Sequence, residues 1–130
     1  MRRVNLGEAG STVIPSLRYR DAAAAIEWLA KAFGFEKRLV VPGENGTIRH
    51  SQLVSGTGMI MVGSEREGEP AAGGGLYVVV DDVAAHHDRA LEAGATIVIS
   101  LANQEDRGLF YSCRDPEGRL WNFGEYNPWG

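Results

Sequence analysis

YRDAAAAIEWLAKAFG, residues 19–34, and VVDDVAAHHDRALEAG, residues 79–94, are two versions of one pattern. Each leaves a strand, passes an Asp, runs through an Ala-rich helix and stops at a Gly. At an offset of 60, Asp21 aligns with Asp81, Ala24 with Ala84, Ala25 with Ala85 and Gly34 with Gly94. Asp21 and the Asp81-Asp82 pair each offer a carboxylate to the open N–H groups of a first helical turn. Gly34 and Gly94 stand where a helix exit favours positive φ. Helical spacing puts Ala22, Ile26, Leu29 and Phe33 on one stripe, and Val83, Ala90 and Leu91 on the other.

The likeness extends outward. With a two-residue shift, Gly56 aligns with Gly118, and Met59-Ile60-Met61 with Trp121-Asn122-Phe123. A duplicated unit explains this better than chance. Each unit reads strand, helix, then three strands. In the first, strands are expected over 12–19, 35–41, 47–54 and 58–64; in the second, over 76–80, 96–100, 109–114 and 119–125. ENG at 44–46 reads as a hairpin turn. DPEG at 115–118 has Pro and Gly where a reversing chain wants them. The polar run 64–75, SEREGEPAAGGG, reads as the connection between units, either solvated loop or lid.

Bulk properties narrow the function. The chain of 130 residues is expected to form a single domain, with a first module at 12–64, a linker at 65–74 and a second module at 75–126. The net charge of −4 argues against nucleic acid and anionic membranes as partners, and slightly favours a cationic or planar aromatic ligand. No apolar run reaches the ~18 residues a membrane span needs. The opening residues lack an apolar signal region. One cysteine, Cys113, makes no internal disulfide and no Cys-rich zinc site. The expected location is cytoplasmic.

LRYRDAAAAIEWLAKAFGF resembles the first strand and helix of the vicinal oxygen chelate superfamily, which embraces glyoxalases, bleomycin-resistance proteins and dioxygenases. RHSQLVSGTGMIMVGS is similar to its third and fourth strands, and LYVVVDDVAAHHDRALEAGA with RDPEGRLWNFGEY to its second module. The PhnB-like and bleomycin-resistance-like branches are the most similar. The resemblance implies an α+β fold: two βαβββ modules forming a cupped mixed sheet, helices on the outer face, usually in a homodimer. It also implies a divalent metal held by His, Gln or Glu from the first and last strand of each module. Strand matching puts those places at Ile14, Ile60, Gly75 and Asn122. These offer one neutral side-chain oxygen, too little for a divalent ion. No metal and no cofactor is therefore expected.

Strand alternation then assigns the cup lining. With Asn122 facing inward, Leu120, Gly124, Tyr77, Phe110, Ser112 and Arg114 share its face. In the first module the inward set is Ser16, Arg18, Arg20, Ile48, His50, Gln52, Gly58, Ile60 and Val62. Leu17, Met59, Met61, Val78, Val80, Trp121 and Phe123 form the core beneath the helices. Seven residues are candidate ligand contacts: Arg18, His50, Gln52, Tyr77, Ser112, Arg114 and Asn122. Arg18 and Arg114 either clamp an anionic group or pair at strand ends. His50 is either an acid–base group or a strand histidine satisfied by backbone. Tyr77 either stacks on a ligand, packs in a dimer or, with Phe110, plugs the cup. His86-His87 lie about 100° apart on a helix and read as surface or partly packed residues, not a metal pair. Cys113 reads as a buried small hydrophobe and Glu125 as facing away from the cup. Trp129 reads as packing against the fold or a partner.

The expected function is a pocket protein that sequesters or senses a small organic molecule in a dimer cleft without the usual metal. The competing expectation is a lyase, isomerase or oxygenase, using either a divalent metal at a noncanonical site or His50 acid–base chemistry. No catalytic residue is assigned.

Overall fold

The computed structural model describes residues 11, 13–66 and 75–128. Most of the linker, residues 67–74, and Trp129 lie outside that range. The chain divides into two compact units, Met1–Ala72 and Gly73–Gly130. Each is a four-stranded mixed sheet with one helix.

The first unit contains β1 (Ser16–Tyr19), α1 (Ala22–Phe33), β2 (Glu36–Pro42), β3 (Ile48–Ser55) and β4 (Gly58–Ser64). Its strand order is β1-β4-β3-β2, with β1 parallel to β4 and the rest antiparallel. The second contains β5 (Gly75–Val79), α2 (Val83–Glu92), β6 (Thr96–Gln104), β7 (Gly108–Arg114) and β8 (Leu120–Gly124). Its order, β5-β8-β7-β6, repeats the first with the same pairing senses. The parallel pair in each unit is the consequence of the helical crossover. β1 starts four residues later than expected, and β6 runs four residues further before a short 3₁₀ turn, Glu105–Arg107.

The helix ends are as the residue types require. Asp21 Oδ1 accepts from Ala24 N at 3.1 Å, and Asp82 Oδ1 accepts from Ala85 N at 3.0 Å. Asp82, not Asp81, is therefore the counterpart of Asp21. Gly34 and Gly94 have φ of 77° and 96°. The β2–β3 turn carries positive φ at both Asn45 and Gly46, and Thr47 N donates to Glu44 O at 3.0 Å. That is the primed turn whose twist matches a hairpin.

Buried Ala22, Ala25, Ile26, Leu29, Ala32 and Phe33 line α1, which packs on its sheet. The second helix differs. Val83 and Ala90 are buried, but Leu91 is 52% exposed, against expectation. At 100° per residue, His86 and His87 bracket Val83 and Ala90 on the packed arc, while Leu91 falls outside it. His86 rests 4.1 Å from the Phe123 ring, with Nδ1 2.6 Å from Tyr111 Oη; His87 meets Tyr111 edge-on at 5.0 Å.

One strand face was assigned wrongly from sequence. In β4, Ile60 and Val62 are buried, paired with Leu53 and Leu17 beneath the helix. Met59 and Met61 occupy the open face, Met61 beside Ser16 and Gln52. The module match is thus Ile60-Met61-Val62 with Trp121-Asn122-Phe123. Gln52 pairs with Met61 as Ser112 pairs with Asn122. The error is one residue, because four residues separate the ladder pair Val54–Met59 and five separate its counterpart Arg114–Leu120. In the second unit the assignment holds: Tyr111, Cys113, Trp121 and Phe123 are buried under α2, and Asn122 lies on the other face.

Candidate functional site

The DPEG turn is built by Asp115. Its carboxylate is 5% exposed. Oδ1 accepts from Glu117 N and Arg119 N, both at 3.0 Å, and Oδ2 accepts from Trp121 Nε1 at 3.1 Å. The turn and Trp121, the first core residue of β8, are thereby fixed to one another, which sets the register that turns Asn122 to the open face.

On that face Asn122 is fully engaged. Its Oδ1 accepts from Ser112 Oγ at 2.5 Å, and its Nδ2 donates to Leu76 O at 3.2 Å. Ser112 is completely buried. The two side chains tie β7, β8 and β5 together. Arg114 is exposed and donates from Nη1 to Gly118 O at 2.9 Å, stapling the turn.

Tyr77 borders a pocket of about 230 Å³ lined also by Gln104, Arg107, Leu109, Phe110, Tyr126 and Pro128. Its ring is nearly parallel to Phe110, 15° between planes and 6.4 Å between centroids. Its hydroxyl donates to Tyr126 O at 2.6 Å and lies over Gly124, where a Cβ would come within 2.7 Å of the oxygen. Arg107 sits 5.1 Å above the Tyr126 ring. Burial raises the Tyr77 phenol pKa, Arg107 pulls it down, and Tyr126 and Glu125 push it up.

In the first unit, Arg18 and His50 line a second groove of about 250 Å³, with Ser16, Arg49, Met61, Val62, Gly63 and Arg66. Gln52 Nε2 lies 3.2 Å from His50 Nε2. With the amide as donor, His50 accepts at Nε2 and carries its proton on Nδ1. Of the candidate residues, Arg18, His50 and Gln52 belong to the first unit, and Tyr77, Ser112, Asn122 and Arg114 to the second. Sequence reading missed Gln104, Arg107 and Tyr126. Arg107 and Tyr126 lie just beyond strands, where alternation gives no direction.

Residues 11–123 match the family model described as the Glyoxalase/Bleomycin resistance protein/Dioxygenase superfamily. The chain belongs to this superfamily. Among solved structures it is similar to TioX from Micromonospora sp. ML1, at 40% identity and a TM-score of 0.75, covering 91% of this chain and 100% of that one. TnmS3 from Streptomyces sp. CB03234, described as an antibiotic binding protein, has the same fold at 20% identity and a TM-score of 0.71, covering 90% of this chain and 98% of that one. An uncharacterized protein of Mycobacterium bovis, Mb0911c, is 32% identical over 122 residues, covering 85% of this chain and 80% of its own length.

Superfamily enzymes bind a divalent metal on the open face, so the donors there can be tested. In the corrected register Met61, not Ile60, is the first unit's counterpart of Asn122; Met61 pairs with Ser16 as Asn122 pairs with Tyr77. Where the resemblance implies His, Gln or Glu, Ser16 offers a hydroxyl and Met61 a thioether in the first unit, and Tyr77 a phenol already donating to a carbonyl and Asn122 an amide bonded at both ends in the second.

Proposed function

We propose that this superfamily member binds a small organic molecule carrying a planar aromatic ring, and sequesters or senses it without metal chemistry. The observation that carries this reading is the pocket beside the stacked Tyr77 and Phe110. Ring faces flanked by Arg107 and Gln104 suit a flat ligand with polar edges. The volume is below the ~300–1,000 Å³ of drug-sized pockets, so it holds one portion of a ligand. The likeness to TioX and to the antibiotic-binding TnmS3 supports the same reading. A cytoplasmic homodimer is part of the proposal, with a second copy completing the cleft.

Thermal-shift titration against a panel of planar aromatic antibiotics tests it. A ligand at 100 Kd stabilises by about 2.7 kcal/mol. The expected stabilisation persists in EDTA and is lost in Phe110→Ala. Stabilisation that appears only with a divalent metal overturns the proposal.

A second reading, acid–base catalysis, draws on the His50–Gln52 contact, which holds the imidazole against a polar neighbour on the open face. Turnover of an oxygenated substrate without metal, abolished in His50→Ala, is the result that would establish it.

A further inference from the structure

Two kinds of chain wall the pocket of the second unit. Tyr77, Leu109 and Phe110 belong to β5 and β7, inside the sheet. Tyr126 and Pro128 follow the end of β8 at Gly124. Glu125 N still donates to Leu109 O at 3.2 Å, so the chain leaves β8 in line with the sheet. Tyr126 then borders the pocket while 41% exposed.

Two contacts on Tyr126 come from residues that line the pocket themselves. The Tyr77 hydroxyl donates to Tyr126 O at 2.6 Å, and the Arg107 guanidinium lies 5.1 Å from the centre of the Tyr126 ring. Gly124 makes the first contact possible. A Cβ there would stand 2.7 Å from the Tyr77 oxygen, so the bare backbone lets the phenol lie across β8 and reach the carbonyl two residues on. The second contact is the one a planar aromatic ligand would make with Arg107, and Tyr126 already makes it. The pocket volume, about 230 Å³, falls short of the ~300–1,000 Å³ usual for ligand sites, and Tyr126 and Pro128 are among the walls that limit it.

We propose that Tyr126 is a resident ring: residues 125–128 form a strap that closes the pocket, and an incoming ligand ring takes the place of Tyr126 beneath Arg107. The inference rests on the ring-binding reading of this pocket and adds its regulation. Binding carries the cost of releasing the strap, so the apparent affinity is the open site's affinity reduced by the fraction of molecules that are open. The two parts of Tyr77 then act in opposite directions. Its ring stacks with Phe110 and favours the ligand, while its hydroxyl favours the closed strap.

The test uses anilinonaphthalene sulfonate, a naphthalene probe whose fluorescence rises in an apolar site, and a parallel sample of the full chain carrying fluorotyrosine. Tyr126→Ala, which removes the resident ring, is expected to bind the probe about fourfold more tightly, the release of one exposed cation–ring contact. Tyr77→Phe, which removes only the hydroxyl, is expected to tighten binding by about the same factor. The Tyr126 fluorine signal, assigned by its loss in Tyr126→Ala, moves toward that of free tyrosine as the probe saturates the wild type. In Tyr77→Phe it moves the same way with no probe present. Unchanged or weaker probe affinity in either variant overturns the strap, and so does a Tyr126 signal that stays in place in probe-free Tyr77→Phe. Absence of probe binding in wild type and both variants overturns the ring-binding reading itself and the displacement with it, and the probe-free fluorine signal tells that failure from a failure of the strap alone.

Discussion

Asp115 has more structural consequence than any residue that touches the pockets. Three N–H donors converge on its carboxylate, one of them the indole of the fully buried Trp121. Removing the acceptor leaves the indole N–H buried without its partner, which costs far more than the net worth of an exposed hydrogen bond. Asp115→Ala is expected to destabilise the fold by about 3 kcal/mol. Asp115→Asn keeps one acceptor oxygen and should lose roughly half as much. Urea denaturation followed by Trp fluorescence measures both; a lowered midpoint at unchanged slope is a stability loss. A loss below about 1 kcal/mol in Asp115→Ala would show that the carboxylate does not organise the turn. The sequence gives the reversal away through Pro116 and Gly118, but not this role. Asp at the start of a turn ordinarily caps local backbone, and nothing in the spacing announces the indole six residues on.

Strands reveal their faces only where side chains alternate in kind. In β8, Leu-Trp-Asn-Phe-Gly places one polar group between two aromatics, and the direction of Asn122 follows at once. In β4, Gly-Met-Ile-Met-Val-Gly-Ser is apolar on both faces through its centre, so the period of two carries no sign. Borrowing the sign from β8 then fails, because hairpin loops of different length separate the paired strands. The helices were more legible, since a cap residue and a terminal Gly are local signals that need no partner. The Asp81-Asp82 pair still left two alternatives, which the structure resolves: Asp82 caps and Asp81 does not. The consequence is measurable. Asp82→Ala should cost about 1 kcal/mol, as should Asp21→Ala, while Asp81→Ala should fall within about 0.5 kcal/mol of wild type. Equal losses at 81 and 82 in chemical denaturation would mean that the helix start is shared or displaced.

At the scale of the molecule, the two units repeat one topology while their open faces differ, one carrying arginine and histidine, the other tyrosine and phenylalanine. The buried layer of the second unit has its own titration behaviour. Tyr111 and Cys113 lie two residues apart on β7, both fully buried under α2. Burial, and secondarily the charge of Asp115, pushes the Cys113 thiol from 9.0 up to about 12. Burial, and secondarily Cys113, raises the Tyr111 phenol well above its ordinary 10.0. Well below pH 9, at pH 7 and under, both groups are protonated in the folded and the unfolded chain, and neither contributes a pH dependence. Above pH 9 the unfolded chain gives up the thiol proton that the native chain retains, so unfolding releases a proton and stability falls as pH rises toward 12. Tyr111 adds to the same slope above pH 10. The urea midpoint should therefore decline from about pH 9 upward. Cys113→Ala should be less stable at neutral pH, having lost buried volume, yet decline less steeply as pH rises through 9, where the unfolded thiol titrates ahead of the unfolded phenol. Other alkaline groups are common to both proteins and cancel in the comparison. Parallel curves for wild type and variant would mean that the thiol ionises as readily in the folded core as in the unfolded chain, and that the packing under α2 admits water.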